Sequence, residues 1–164
     1  MTQYRITKYN PALRHENGVY LRDEWTCFSE IGRTFEGKVF TGEDYLKVEA
    51  AYIEAALQLI EEDGASGLRA RYIEKWIKST RTPDEEEMIP LSGLRSVCQA
   101  VLRSRYWCRL EDEGRFIHFG WDYYMYVGVK TSCEMAVSKA QERGLFVELF
   151  TSPYLGMGNE HGVV

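Results

Sequence analysis

The chain has 164 residues with 45% hydrophobic side chains, so it can bury a hydrophobic core without disulfides or a structural metal. Its formal net charge of −5 argues against a nucleic-acid-binding protein, because such proteins carry a basic excess. It has neither an N-terminal signal core nor an apolar run of about 18 residues, so we expect a cytoplasmic protein outside the membrane. The four cysteines show no metal-binding spacing, and we predict neither a metal nor another cofactor.

The first part of the chain predicts one strand, a long loop and one helix. Residues 3–9 alternate among strand-forming types, and Pro11 ends the strand because it lacks an amide donor. Residues 12–40 show no sustained period, which indicates a loop. Thr41 with acidic residues in the next turn predicts the start of an amphipathic helix that ends at Gly64. The acids expected on its exposed face are Glu49, Glu54, Glu61, Glu62 and Asp63.

The middle of the chain predicts two further helices separated by a loop. Residues 68–78 carry apolar side chains at helical spacing and favour a short helix, with a short strand over residues 68–72 as the alternative. Residues 79–90 contain Pro83 and Pro90 and hold the acidic run 84–87, so we expect an exposed loop. A second amphipathic helix follows from Leu91 to about Arg105.

The last third of the chain predicts the centre of a sheet. Residues 107–130 contain three apolar runs, separated by a turn at residues 112–114 and by Gly120, which indicates three adjacent antiparallel strands. The third run, from Trp121, is apolar or aromatic on both faces, as in a strand covered on both sides. A third helix over residues 133–143 and a last strand over residues 145–150 follow.

These elements predict an α+β fold in which about three helices pack on one mixed, mostly antiparallel sheet of four to six strands. No linker or internal repeat interrupts the chain, so we expect a single domain over residues 1–155. Residues 156–164 have little to pack with and are predicted to be a flexible tail.

The sequence contains no motif that identifies a reaction. His118 lies in a predicted strand four residues before Asp122, and Cys27 or Ser29 would complete a nucleophilic site with them. His15 and His118 would make an acid–base pair for RNA cleavage if they met. A strand histidine among aromatic residues is more often a hydrogen-bonded structural residue, so we predict no catalytic site and keep a small enzyme as an alternative.

Several phrases of the chain resemble a group of short, uncharacterised bacterial cytosolic proteins. They are YRITKYNP at residues 4–11, YLRDEWTCFSEIG at 20–32, FTGEDYLKVEAAYI at 40–53, FIHFGWDYYMYVGV at 116–129 and GLFVELFTSPY at 144–154. The resemblance spans most of the chain, and none of these phrases is a catalytic signature. By size, acidity, aromatic content and lack of a catalytic motif, the chain looks like an immunity protein of a bacterial toxin system.

The resemblance to immunity proteins implies a protein that binds a cognate toxin domain and masks its active site. Many toxin domains have basic substrate clefts, so we expect a basic partner that meets acidic and aromatic side chains. The expected contact residues are Asp23, Glu24 and Trp25 in the long loop, Glu61, Glu62 and Asp63 at the end of the first helix, and Asp84, Glu85, Glu86 and Glu87. An inhibitor of a defence nuclease is a second alternative, and exposed aromatic residues would equally suit a homodimer.

Overall fold

Nine strands and three α-helices are present in residues 1–156, the part of the chain that the computed structural model describes. The strands are β1 (Thr2–Thr7), β2 (Thr34–Phe35), β3 (Lys38–Val39), β4 (Gly67–Glu74), β5 (Met88–Pro90), β6 (Trp107–Asp112), β7 (Arg115–Phe119), β8 (Met125–Val129) and β9 (Phe146–Leu149). The helices are α1 (Gly42–Glu62), α2 (Leu91–Leu102) and α3 (Glu134–Glu142). The predicted flexible tail, residues 156–164, lies outside the described residues except for Gly156.

Seven strands form one sheet in the order β5-β4-β6-β7-β8-β1-β9, and β2 and β3 form a separate hairpin. Every neighbouring pair of strands within residues 1–156 is antiparallel. The predicted α+β class is therefore confirmed, as is the position of three adjacent antiparallel strands at the centre of the sheet. The sheet has seven strands rather than four to six, and its described pairs are all antiparallel rather than mixed.

Strand β4 shows that the helix predicted over residues 68–78 is wrong and that the alternative, a short strand, is correct. Leu68 and Ala70 alternate onto one face of the sheet and are fully buried. The alternation breaks at a bulge between Arg71 and Glu74, where Tyr72 has a φ of 55°. The irregular register of this bulge gives the apolar side chains a spacing that resembles a helical one. The neighbouring strand β5 lies in the stretch 79–90, where the sequence predicts only a loop.

All three helices pack on one face of the sheet, with α1 in contact with both α2 and α3. Helix α1 begins with the cap predicted at Thr41: the Thr41 hydroxyl accepts a hydrogen bond from the Asp44 amide, and the Asp44 carboxylate accepts one from the Thr41 amide. Tyr45, Tyr52 and Leu59 on its inner face are fully buried. No helix within the described residues is long and apolar enough to cross a membrane.

The opposite face of the sheet is covered by residues 150–156, here called the C-terminal strap. The Ser152 amide donates to Gln3 Oε1 on β1 (2.9 Å), and the Tyr154 ring lies 5.6 Å from the Trp107 ring. Beneath the strap the packing depends on Gly128, because a Cβ at that position would lie 2.2 Å from the Phe116 ring. Both faces of the central strands are therefore buried, as the sequence predicts.

Candidate functional site

Asp63, expected at an exposed and acidic helix end, is instead buried. Its carboxylate accepts hydrogen bonds from Arg115 Nε (2.6 Å), from the Lys130 amide (2.9 Å), and from the amide and hydroxyl of Thr131 (both 2.8 Å). Burial alone would raise the pKa of Asp63, but these donors outweigh it and lower the pKa to about 2. The expectation of exposure is wrong for Asp63 because its partners come from the distant β7 and the segment after β8. Glu49 is likewise buried, against Arg103 at the C-terminal end of α2.

Glu61 and Glu62 are exposed, as expected, but they differ in what they contact. The Glu62 carboxylate accepts hydrogen bonds from the amides of Ala136 (2.7 Å) and Met135 (3.3 Å) in the first turn of α3. Glu62 therefore caps a helix within its own fold. The Glu61 carboxylate makes no hydrogen bond or ion pair with the rest of residues 1–156.

The acidic run at residues 84–87 is exposed, but most of its carboxylates are occupied. Glu85 accepts from the amide of Tyr72 at the bulge of β4 (2.9 Å), and Glu86 pairs with Arg71 (2.7 Å). Glu87 accepts from the amide of Asp84 (2.8 Å) and closes the turn between them. Glu85 and Glu86 thus bond to groups at the bulge of β4. Within residues 1–156, Asp84 is the one member of this run whose carboxylate makes no hydrogen bond or ion pair.

The third expected cluster, Asp23, Glu24 and Trp25, is also divided between structural and exposed residues. Glu24 accepts hydrogen bonds from Lys8 Nζ (2.9 Å) and the Tyr20 hydroxyl (3.1 Å). Trp25 stacks on Phe40 with ring centroids 4.4 Å apart and packs against the core. Asp23 is exposed.

Trp121, to which the sequence prediction gave no binding role, is the most exposed large hydrophobic residue within residues 1–156, with 85% of its surface accessible. It does not begin a strand: β8 starts at Met125, and a tight turn at residues 120–124 precedes it. Asp122 and Tyr123 in this turn have φ values of 55° and 63°, a left-handed conformation that few non-glycine residues adopt. The Gly120 amide closes the turn by donating to the Tyr124 carbonyl (2.8 Å).

The hydroxyl of Tyr9 joins this turn to the loop that carries Asp23. It donates to the carbonyl oxygen of Asp122 (2.8 Å) and to that of Trp25 (3.1 Å). Tyr9 therefore ties together two loops distant in sequence, one carrying the exposed Asp23 and the other carrying the exposed Trp121 and Asp122. We call these three residues the docking end.

His118 does not contact the residues with which it would form a catalytic site. Its ring is fully buried, with Nδ1 2.8 Å from Ser152 Oγ and Nε2 2.8 Å from Glu111 Oε1. Asp122 instead belongs to the turn that carries Trp121, while Cys27 and Ser29 bond to each other in the long loop. The alternative sites built on Asp122, Cys27, Ser29 or His15 are therefore not assembled around His118.

The hydrogen bonds around His118 form a directed chain. Burial lowers the pKa of His118 against the opposing effect of Glu111, so the ring is neutral. An ionised Glu111 only accepts, so Nε2 carries the proton and Nδ1 accepts from the Ser152 hydroxyl. Ser152 Oγ in turn accepts from the Tyr154 amide (3.3 Å). With Ser152 only 2% exposed, this chain fixes the C-terminal strap to the sheet rather than presenting a nucleophile to a substrate.

The larger of two surface grooves does not add a catalytic constellation. The larger groove, of about 860 Å³, lies between residues 76–83 and α2. Its described lining contains one carboxylate, Glu87, and neither histidine nor cysteine, so it offers no acid–base pair. No group of three or more His, Cys, Asp or Glu side chains in residues 1–156 is arranged to hold a metal ion.

Comparisons of this chain with protein-family models, with curated proteins and with solved structures gave no match. The resemblance to immunity proteins and the expected toxin partner therefore stay predictions from the sequence.

Proposed function

We propose that the protein is an immunity-type inhibitor that binds a basic toxin domain and masks its active site. The sequence resemblance and the net charge of −5 support this function. The observation that carries it is the docking end, where the 85% exposed Trp121 is next in sequence to the exposed Asp122, in a turn that Tyr9 ties to the loop of the exposed Asp23.

Trp121 is suited to anchor a protein partner. Tryptophan is enriched among the interface residues that contribute most binding energy, because its large ring buries much apolar surface. The turn that holds it is fixed by the Gly120–Tyr124 hydrogen bond and by Tyr9, so little conformational entropy is lost when a partner binds. The exposed ring of Trp121 lies outside the core described above, so it is available to an external partner.

Asp23 and Asp122 specify the kind of partner. Exposed carboxylates attract a basic surface over about 8–10 Å at physiological salt and speed its association. Most other acids of the expected clusters are already engaged by Arg71, Arg115 or backbone amides. A basic toxin cleft would therefore meet the docking end more favourably than the acidic run at residues 84–87.

The experiment captures partners from the native host on tagged protein at low and high salt. Wild type, Trp121→Ala and the double variant Asp23→Asn/Asp122→Asn are compared, since Asn also tolerates the left-handed conformation of Asp122. Matched controls are Leu46→Ala and Glu142→Gln, which remove an exposed apolar side chain and an exposed carboxylate elsewhere. The captured protein is then produced in cells with and without this protein, and growth is measured.

We expect one basic partner that arrests growth alone and is neutralised by the wild type. Trp121→Ala should weaken binding about 30-fold or more, as for a central interface residue. The double variant should slow association and reduce its salt dependence, while both controls bind normally. A partner that does not arrest growth would overturn the proposed function, and equal binding by Trp121→Ala would overturn the docking end. A captured defence nuclease encoded away from this gene would favour that alternative instead.

A further inference from the structure

The two edges of the seven-stranded sheet differ in how they are protected from pairing with another strand. At one edge, β5 has three residues and ends in Pro90, which cannot donate a ladder hydrogen bond. At the other edge, β9 reads FVEL and carries neither a proline nor a lysine. Natural edge strands usually carry such guards, so the β9 edge is the one open to addition.

The hydrogen-bond phase of β9 shows which backbone groups face outward. The Phe150 amide donates to the Gln3 carbonyl on β1 (3.1 Å), and these two residues are directly opposite in the register of the pair. Bonded and non-bonded pairs alternate along an antiparallel ladder, so Glu148 also points its backbone groups to β1. The N–H and C=O groups of Val147 and Leu149 therefore point away from β1, along the free edge.

Apolar side chains flank these outward backbone groups. Leu149 is 77% exposed, and Phe150 next to it is 40% exposed. Met135, 64% exposed, lies in the first turn of α3, the helix that packs on β9. A partner strand at this edge would bury Leu149 together with its own side chains.

The single negative charge on the strand is more than compensated by two arginines. Glu148 receives a bidentate pair from Arg14 (both 2.9 Å) and a further contact from Arg5 (3.1 Å), leaving one positive charge in excess. A second Glu148 placed opposite the first would have its Cβ about 5 Å away, within reach of the same guanidinium groups. Two such clusters together contain two carboxylates held by four arginines, so like-charge repulsion between the glutamates is offset.

We propose that the protein forms a symmetric dimer in which β9 pairs antiparallel with β9 of a second copy, with the two-fold axis at Glu148. Val147 of each copy then faces Leu149 of the other in a hydrogen-bonded pair, and their side chains meet on the helix-covered side of the joined sheet. A two-fold axis suits this edge because Val147 and Leu149 each offer one donor and one acceptor. The backbone donors and acceptors of one free edge therefore match those of the same edge in a second copy.

The test measures the mass of the intact protein in solution by sedimentation equilibrium over a range of concentrations. Leu149→Lys places a guard charge on the edge, and Val147→Pro removes an outward N–H that β1 does not use. The matched control is Leu46→Lys, which makes the same change at a half-exposed leucine of α1. Circular dichroism and cooperative unfolding of each variant confirm that the monomer fold is kept.

We expect a dimer for the wild type and for Leu46→Lys. Leu149→Lys and Val147→Pro should each raise the dissociation constant about tenfold or more, since Val147→Pro removes half of the hydrogen bonds between the copies. Amide exchange at Val147 and Leu149 should slow as the wild type associates. A wild type that is monomeric at every concentration would overturn the proposal, as would a dimer that both edge variants leave intact.

Discussion

Asp63→Asn tests the claim that this acid belongs to the core rather than to the surface. Asparagine has the same shape but replaces one carboxylate oxygen with an NH2 group. Each oxygen of Asp63 now accepts two hydrogen bonds, one pair from Thr131 and the other from Arg115 and the Lys130 amide. In the variant the NH2 group therefore faces two hydrogen-bond donors, and the partly buried Arg115 loses its counter-charge.

The loss in stability can be derived from the lowered pKa of Asp63 and from the cost of breaking buried ion pairs in other proteins. The pKa of Asp63 falls from 3.8 to about 2, and this difference corresponds to about 2.5 kcal/mol of stability. Removing one partner of a buried ion pair costs about 3–5 kcal/mol in other proteins. We expect the free energy of unfolding to fall by about 3 kcal/mol, which lowers the melting temperature by about 6–12 °C for a chain of this size.

The assay is urea unfolding, followed by tryptophan fluorescence and far-UV circular dichroism, at a series of pH values. The pKa of Asp63 is lower in the folded state than in the unfolded state, so its contribution is fully present above about pH 5. That contribution is lost as the pH falls through about 2. The gap in stability between wild type and Asp63→Asn should therefore be constant near neutrality and shrink between about pH 4 and pH 2.

Glu61→Gln is the matched control, because Glu61 is exposed at the same end of α1. It should change stability by no more than about 0.5 kcal/mol. An equally small effect of Asp63→Asn would refute the buried ion pair, as would a difference in stability that does not change with pH. Asp63 would then again be a candidate for an exposed partner-binding residue.

Ser152→Ala should cost about 1–3 kcal/mol and speed amide exchange in the strap, because His118 Nδ1 is left buried without its donor. Gly128→Ala should cost about 1–3 kcal/mol in urea unfolding, because its Cβ would overlap the Phe116 ring. The lowered pKa of His118 makes stability fall as the pH drops below about 6.5, since only the unfolded state then gains the proton. His118→Gln should remove that slope when unfolding is compared between pH 5 and pH 8.

Matched controls separate these effects from general damage. Gly42→Ala adds the same methyl group where no atom lies within 4 Å, and Ser138→Ala removes an exposed hydroxyl from α3. Both should leave the urea midpoint unchanged. A loss in either control equal to that at Gly128 or Ser152 would contradict the assigned contacts.

Features with local causes were predictable from the sequence. The cap at Thr41 needs only Asp44, three residues away, and the hairpin between β6 and β7 follows from the turn at residues 112–114. The same hairpin register brings Glu111 close to His118, so this pair was open to prediction once the turn was assigned. The bulge in β4 could not be predicted in this way. It arises from a register shift against β6, and the spacing of apolar residues along the chain does not reveal such a shift.

The site residues show the same division. Asp63 has the same local setting as Glu61 and Glu62, and only its partners, 52 to 68 residues away, make it a core residue. Ser152 reaches His118 across 34 residues, without a motif that links them. Trp121 fits the apolar pattern of a strand, and the left-handed turn at Asp122 that exposes it leaves no local signal in that pattern.

Strand β1 lies between β8 and β9, so the first of the nine described strands has the last two as its neighbours in the sheet. At about 5–20 residues per second, the roughly 120 residues between Thr7 and Met125 take about 6–24 seconds to leave the ribosome. During that time β1 has neither neighbour, and Tyr4 and Ile6 lack the strands that help to bury them. The nascent chain therefore completes its sheet only after β8 and β9 have been synthesised, and a chain truncated before β8 would expose these side chains to chaperones and proteases.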